Sequence, residues 1–341
     1  MNYDELTARY PEVTLLDPKD PARIFEYAQS RRLVDSNERL VRIEKPGDGN
    51  MNYTVRLITT ARSIILKQSR PWVEKYPQIE APWDRVIREG RFYSLVGKSD
   101  SLRQRMPAAL DLDPVSRIFV CSDLGPATDL TDLYRGVNLD TDEANDLSAW
   151  LTTLHQLEFS AEDRGSLTNR DMRALNHEHI FRFPLLADNG LNLDDITPGL
   201  QAQANQLIVN RRFVDAISGL GQRYLEDGPT LLHGDYFPGS WLRTENGIHV
   251  IDPEFGFFGC AEFDAGVFFA HLTIAENNDL RADRILEKYV PPNDFDCRLM
   301  KQFAGTEIMR RLIGVAQLPL DYDLQTKTAL LERSRQLVLD P

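Results

Sequence analysis

Three acidic residues and a serine, Asp235, Ser240, Asp252 and Glu254, lie in one stretch, LLHGDYFPGSWLRTENGIHVIDPEFGFFGCAEFDAG. Two mainly apolar runs inside it, Trp241 to Thr244 and Ile248 to Ile251, flank Glu245-Asn246-Gly247, and Asn-Gly between such runs is a strong hairpin signal. If residues 245 to 247 form the loop, Thr244 faces Ile248 and Ser240 falls opposite Asp252; a two-residue Asn-Gly loop shifts the register by one. Either way the polar ends of the two strands converge, which brings Ser240, Asp252 and Glu254 together with Asp235 just upstream. Carboxylates crowded at one sheet edge repel one another unless a hard cation sits among them. Ligation by oxygen alone points to Mg²⁺.

A second constellation lies nearer the N-terminus. In KPGDGNMN, between the apolar runs Leu40 to Ile43 and Tyr53 to Ile58, Gly47 and Gly49 leave backbone N–H groups unshielded, so the turn can close over phosphate oxygens. Lys67 follows Ile64, Ile65 and Leu66 on the next strand, Ser63 to Gln68, where a half-buried ammonium needs an anion. Glu89, on a helix expected from Asp84 to Val96 with Asp84 as its N-cap, can orient that lysine, while nucleotide phosphates provide the charge it binds, as in the lysine–glutamate pair of protein kinases.

Other polar residues have plainer readings. His233, at the end of an apolar run, braces the loop around Asp235. Asp264 accepts backbone N–H bonds from the same loop. Trp150, Trp241 and the phenylalanines after Asp252 are core. Taken alone, Arg310 and Arg311 decorate a helix whose apolar face is Ile308, Leu312, Ile313 and Val315.

The elements that position these groups form two blocks. An N-terminal cap, with a helix opened by Asp20-Pro21, precedes an antiparallel meander. Ile118 to Cys121 is a strand leaving one lobe for the other. Beyond Pro126 the periodicity is mostly helical: Leu147, Trp150, Leu151 and Leu154 share one face, and Ile208, Phe213, Ile217, Leu220 and Tyr224 approximate another. With 341 residues, 42% hydrophobic and 27% charged, the chain can bury one large core or two moderate ones. Its net charge of -13 argues against non-specific nucleic-acid binding. Cys121, Cys260 and Cys297 suit neither a disulfide framework nor a zinc site. No apolar run is long enough to cross a bilayer and MNYDELTARY lacks the features of a signal peptide, so the expected setting is the cytoplasm, away from membranes.

These motifs together resemble the superfamily of aminoglycoside phosphotransferases and choline kinases, and within it the methylthioribose kinase branch. GDGNMNYTV with ILKQSRPWV is similar to the nucleotide loop and lysine strand, HGDYFPGS to the catalytic loop, IDPEFGFFG with FDAG to the metal segment, and MRRLIG to the paired-arginine motif, in the same order along the chain. The resemblance implies an α+β, protein-kinase-like two-lobe fold: a small antiparallel-sheet lobe with its N-terminal cap over residues 1–125 and a larger helical, catalytic and substrate lobe over 126–341. It implies ATP and Mg²⁺ as cofactors, with ATP between the lobes. By the same likeness Asp235 orients or deprotonates the attacking hydroxyl and Asp252 with Glu254 holds magnesium. Lys67 and Asn50 touch the nucleotide, Ser122, Asp123 and Leu124 form the hinge beside adenine, and Arg310 and Arg311 face the substrate and the transferring phosphate. Ser240 replaces the asparagine of most of the superfamily, as it does in the methylthioribose kinase branch. Tyr236-Phe237 stands where that branch has Leu-His, which implies a reshaped acceptor pocket.

The expected activity is ATP-dependent phosphorylation of a hydroxyl on a small molecule, most closely a methylthioribose-like sugar. An aminoglycoside or amino-alcohol kinase is the main alternative, and a non-catalytic nucleotide-binding module of the same fold is another. Retention of Lys67, Asp235, Asp252 and Glu254 together speaks against the module, and the absence of a recognisable activation loop and APE-type segment against a protein kinase. A homodimer is compatible with this reading.

Overall fold

The computed structural model describes residues 3–47, 49, 51–276 and 279–341. They fall into two units: Met1–Ala127 with Ile251–Phe255, and Thr128–Val250 with Gly256–Pro341. The short segment Ile251–Phe255, which the sequence leaves in the second block, thus groups with the first.

The first unit opens with helices α1 (Tyr3–Arg9) and α2 (Pro21–Ser30). Asp20 caps α2 by accepting from the Arg23 N–H at 3.1 Å, and Pro21 supplies a φ already set for the first turn. The strands are β1 (Leu40–Glu44), β2 (Tyr53–Thr59), β3 (Ser63–Gln68), a small hairpin of β4 (Trp72–Val73) and β5 (Tyr76–Glu80), then β6 (Ala109–Asp113) and β7 (Ile118–Ser122). Helices α3 (Arg85–Val96) and α4 (Asp100–Arg103) lie between β5 and β6 in the chain. Five of the strands form one antiparallel sheet in the order β1-β2-β3-β7-β6.

Alternation along the strands gives this sheet two different faces. Val55 and Leu57, Ile64 and Leu66, and Ile118 and Val120 close on Ile24, Tyr27 and Ala28 of α2 to make the core. Burying each such side chain contributes about 1.5–3 kcal/mol. Ile65, Lys67, Phe119 and Cys121 take the other face, where Lys67 pairs with Phe119 across β3 and β7. Helix α3 covers that face, with the Tyr93 and Phe119 ring centroids 4.9 Å apart. The sequence therefore puts a lysine under a helix because its neighbours in the strand must face the core. Asp84 stands at the N-cap position of α3, but its carboxylate accepts from Arg117 at 3.2 Å and does not cap the helix.

The second unit begins with β8 (Thr128–Asp129) and α5 (Thr141–His155), started by a capping box between Asp140 and Glu143. Helices α6 (Ala161–Ser166), α7 (Arg170–His177), α8 (Leu200–Ile208) and α9 (Arg211–Leu225) follow. The expected continuous face from Ile208 to Tyr224 is two helices, because Asn210 stops the first and caps the second, accepting from Phe213 N–H at 3.2 Å. Then come β9 (Thr230–Leu232), β10 (Trp241–Thr244), β11 (Gly247–Val250), β12 (Phe257–Gly259), α10 (Ala261–Glu276), α11 (Asp279–Leu286), α12 (Cys297–Ile313) and α13 (Leu324–Leu339).

Helix α12 packs between α10 and α13, and every residue from Phe303 to Ile313 is buried. Gly266 lets α10 approach it closely, since a Cβ there would stand 2.6 Å from the Met300 carbonyl oxygen. A helix enclosed on all sides tolerates charge only where the charge is paired, which bears directly on Glu307, Arg310 and Arg311.

The hairpin register differs from both expectations. Thr244 pairs with Gly247 and Trp241 with Val250, because Gly247, at φ 90°, takes the left-handed conformation just after the turn residues Glu245 and Asn246. Among the described residues no helix is long and apolar enough to cross a membrane.

Candidate active site

In the first unit, Lys67 is the hub. Its side chain is 10% exposed, and its Nζ donates to Glu89 Oε1 at 2.7 Å and to Asp252 Oδ1. Burial pulls the ammonium pKa down, but the carboxylates of Asp252 and Glu89 outweigh it and hold Lys67 well above its ordinary value. Glu89 is fully buried on α3, and burial pushes its carboxyl up against the opposing pull of Lys67. The pairing depends on β3 and α3 alone, which is why strand and helix periodicity could suggest it.

Asp252 adopts φ 60°, a strained conformation for a residue other than glycine, so its placement is enforced by its surroundings. Glu254, two residues on in a short 3₁₀ turn (Pro253–Phe255), faces other partners. Its Oε2 accepts from Asn52 Nδ2 at 2.9 Å and lies 3.7 Å from Arg85 Nε. Burial pushes the Glu254 carboxyl up to about 8, opposed first by Arg85.

Arg85 is itself fully buried, its pKa drawn down to about 10 by that burial. Its Nη1 donates to the carbonyls of Arg70 and Pro82 and its Nη2 to those of Met51 and Trp72. It thereby fastens the end of the glycine-rich turn to the start of α3 and to Glu254. Asn52 and Arg85 were not singled out from the sequence. The available signal was an arginine in the first position of a helix, where the helix dipole disfavours a cation unless a tertiary partner holds it.

The remaining residues of this half are less committed. A Cβ on Gly47 or Gly49 would meet nothing within 4 Å. Asn50 lies outside the described residues. At the expected hinge, Ser122 Oγ accepts from the Ala108 N–H at 2.8 Å. The Asp123 carboxylate accepts from Ser63 Oγ at 2.5 Å and from Arg56 Nε at 2.9 Å. Two of the three hinge side chains are thus engaged within the sheet, and Leu124 follows before Gly125 turns the chain at φ 76°.

In the second unit, the loop from His233 to Ser240 is fixed mainly through its backbone. Asp264, fully buried at the start of α10, accepts from the His233 N–H at 2.6 Å and the Gly234 N–H at 3.0 Å, as its position in the sequence suggested. Gly234 has φ 84°, a turn that a side chain would strain. His233 Nδ1 in turn accepts from the Asp235 N–H at 3.3 Å. Tyr236 is core: it is fully buried, stacks on Trp150 with centroids 5.3 Å apart and donates to the Leu147 carbonyl at 2.9 Å. Of the Tyr236-Phe237 pair only Phe237 stays partly exposed, with the Arg311 guanidinium 4.5 Å above its ring.

Asp235 is the partly exposed carboxylate of this half. Its side chain is 22% exposed and its Oδ1 accepts from Arg311 Nη2 at 3.0 Å and Arg310 Nη2 at 3.3 Å. Arg310 and Arg311 are buried near the end of α12, so they are committed to this corner and are not solvated decoration. Glu307, three and four residues before them, accepts from both Nε atoms. Ser240 lies on the other side of the loop, donating to the Asp235 carbonyl at 3.1 Å.

Within each unit these side chains have their own partners. Asp252 turns to Lys67, Glu254 to Asn52 and Ser240 to the Asp235 backbone. Among the described residues no three of His, Cys, Asp and Glu form a cluster suited to a metal ion.

The model of the phosphotransferase enzyme family matches residues 42–294. A methylthioribose kinase of Erwinia tasmaniensis is 26% identical over 371 aligned positions, covering 93% of this chain and 91% of that protein. Among solved structures, choline kinase LicA from Streptococcus pneumoniae is similar with a TM-score of 0.51 at 13% identity, over 94% of this chain and 99% of that one. A spectinomycin phosphotransferase in complex with ADP and spectinomycin gives 0.51 at 14% identity, over 88% of this chain and 92% of that one. The sheet-bearing first unit and helical second unit make up the same protein-kinase-like α+β fold. The chain belongs to the phosphotransferase enzyme family and is an ATP-dependent small-molecule kinase of that family.

Proposed function

We propose that the protein transfers the γ-phosphoryl group of ATP to a hydroxyl of a methylthioribose-like sugar, the hydroxyl nearest the anomeric centre. The observation that carries the chemistry is Asp235, a partly exposed carboxylate held at one oxygen by two buried guanidiniums. Its second oxygen can accept the proton of an acceptor hydroxyl, the acceptor oxygen attacks the γ-phosphorus, and ADP leaves. Arg310 and Arg311 fix the base and face the charge that spreads over the phosphoryl oxygens in a loose transition state.

The first unit is the nucleotide half of this reading. The turn containing Gly47, Gly49 and Asn50 covers the phosphates and Lys67, oriented by Glu89, binds them. Ser122 to Leu124 presents backbone to adenine. Asp252 and Glu254 suit Mg²⁺: both are hard oxygen donors, and magnesium in kinases needs only one or two carboxylates besides phosphate. Burial pushes the Glu254 carboxyl up, and a cation bound there would favour its charged form. By its place in the motif alone, Ser240 is counted with this set as a neutral oxygen donor. Bound there, magnesium neutralises phosphate charge. The setting this reading implies is the cytoplasm, where ATP is supplied.

The sugar is favoured by the likeness to methylthioribose kinase along almost the whole chain. Charge is a weaker guide, because Asp235, Glu307, Arg310 and Arg311 sum to zero and would not repel an amine strongly. ADP release measured against methylthioribose, other pentoses, homoserine, choline and aminoglycosides decides the acceptor. Preference for methylthioribose or a related pentose supports the reading; strong preference for an amine-bearing acceptor replaces the sugar and leaves the kinase.

A further inference from the structure

We propose that Glu307 is the positioning residue for the paired arginines, with His271 and Tyr134 ordering it from behind. The proposal rests on the kinase reading of Asp235 for its kinetic consequences, and on the geometry of α12 for its premise.

Glu307, Arg310 and Arg311 stand at spacings of three and four, so one turn of helix brings all three side chains together. Glu307 Oε2 accepts from Arg310 Nε at 2.5 Å and its Oε1 from Arg311 Nε at 2.8 Å. Each guanidinium is thus held by its inner nitrogen, and an outer nitrogen of each, Nη2, is left to reach Asp235. Glu307 Oε1 also accepts from His271 Nε2 at 2.8 Å. Because the carboxylate can only accept, Nε2 carries the proton. His271 is neutral, burial having drawn its pKa down to about 4, so its Nδ1 accepts from the Tyr134 hydroxyl at 2.6 Å.

The result is a chain from Tyr134 through His271 and Glu307 to the two arginines. Glu307 is 1% exposed, yet burial is overcome by Arg310, Arg311 and His271, which hold it ionised. Two adjacent buried guanidiniums would repel each other; the carboxylate between their inner nitrogens removes that repulsion and sets their direction. A residue serving only to stabilise α12 would have no need to engage both inner nitrogens and leave the outer ones on Asp235.

Glu307→Gln keeps the shape but offers one acceptor oxygen in place of two, so one arginine loses its anchor. The expected outcome is a fall in kcat of about 10- to 100-fold, since small misplacements near reacting groups cost on that order, with KM for ATP changed less than about threefold. Retention of kcat within about twofold of wild type would overturn the proposal, as would a loss confined to KM for ATP. A second measurement needs neither a folded variant at this position nor a known acceptor. In nitrogen-15 NMR of the wild-type protein, with Arg310→Lys and Arg311→Lys used for assignment, both Nε–H signals should be protected from solvent exchange. Exchange as fast as that of exposed arginines such as Arg212 would overturn it. Absence of turnover on any acceptor, with protected Nε–H signals, would count against the kinase reading and leave the anchoring of the arginines intact.

Discussion

The carboxylate of Asp235 meets two guanidiniums that are already bound to Glu307, and behind Glu307 stands His271, a buried imidazole whose ionisation couples this cluster to pH. Unfolded, its imidazole takes up a proton below about 6.5. Folded, with Tyr134, Glu307, Arg310 and Arg311 around it, burial delays that proton to about 4. The unfolded state therefore binds more protons between these values, and stability falls as the pH drops through this window. Glu307, held below its ordinary pKa, adds loss in the same direction once it titrates. His271→Gln should reduce the difference in unfolding free energy between pH 7 and pH 4.5 by about 2–3 kcal/mol, read from urea denaturation at both values. An undiminished difference would remove His271 as a source of acid sensitivity. At this scale the Lys67–Glu89 pair was legible, because a lysine on an otherwise apolar strand calls for an anion and the next helix supplies one. The sequence hid Glu307 and His271, whose meaning depends on contacts between α10 and α12, although the E-x-x-R-R spacing was there to be read.

Among the elements, the loop from His233 to Ser240 and helix α3 do the positioning. The first hangs on Asp264, whose carboxylate accepts the backbone N–H bonds of the loop as its reading from the sequence expected. The second hangs on Arg85, whose guanidinium serves four carbonyls and sits beside Glu254. Arg85→Met should destabilise the protein by about 3–5 kcal/mol, the cost of leaving a buried partner charge and carbonyls unmatched, and should weaken Mg-ATP binding by at least tenfold. Urea denaturation and calorimetry measure the two effects; a variant with wild-type stability and affinity would show that Arg85 does not hold the turn. The β10–β11 hairpin shows where element-level reading stops. Asn-Gly announced the turn, but which residue took the left-handed conformation set the register, and it was Gly247 following a turn of Glu245 and Asn246. Tyr236 likewise looked like a pocket residue in a linear motif and is core, because only the fold shows Trp150 stacked on it.

Across the whole molecule, the candidate machinery is divided between the two units, with Lys67, Glu89, Asp252 and Glu254 in the first and Asp235, Arg310 and Arg311 in the second. If the proposed roles hold, the division makes nucleotide binding and phosphoryl transfer separable. Asp252→Ala should abolish magnesium-dependent ATP binding and Lys67→Ala should weaken ATP binding or turnover, whereas Arg310→Ala and Arg311→Ala should leave Mg-ATP affinity within about threefold and lower turnover. Calorimetric titration with Mg-ATP tests all four, and unchanged affinity in Asp252→Ala would sink its metal role. The broad layout of a sheet-bearing and a helical part was legible from strand and helix periods. The return of Ile251–Phe255 to the first unit was not, since those residues follow a strand of the second without any break in composition.

The most direct test of the central claim is phosphorus-31 NMR of wild-type protein and Asp235→Asn, each incubated with Mg-ATP and methylthioribose. The wild type should convert the γ-phosphate signal into a sugar phosphate monoester with equal formation of ADP. Asp235→Asn, which keeps the shape but removes the base, should do so about 10²- to 10⁴-fold more slowly with little change in ATP affinity. Near wild-type transfer by Asp235→Asn on an acceptor that the wild type phosphorylates would contradict the account at its centre.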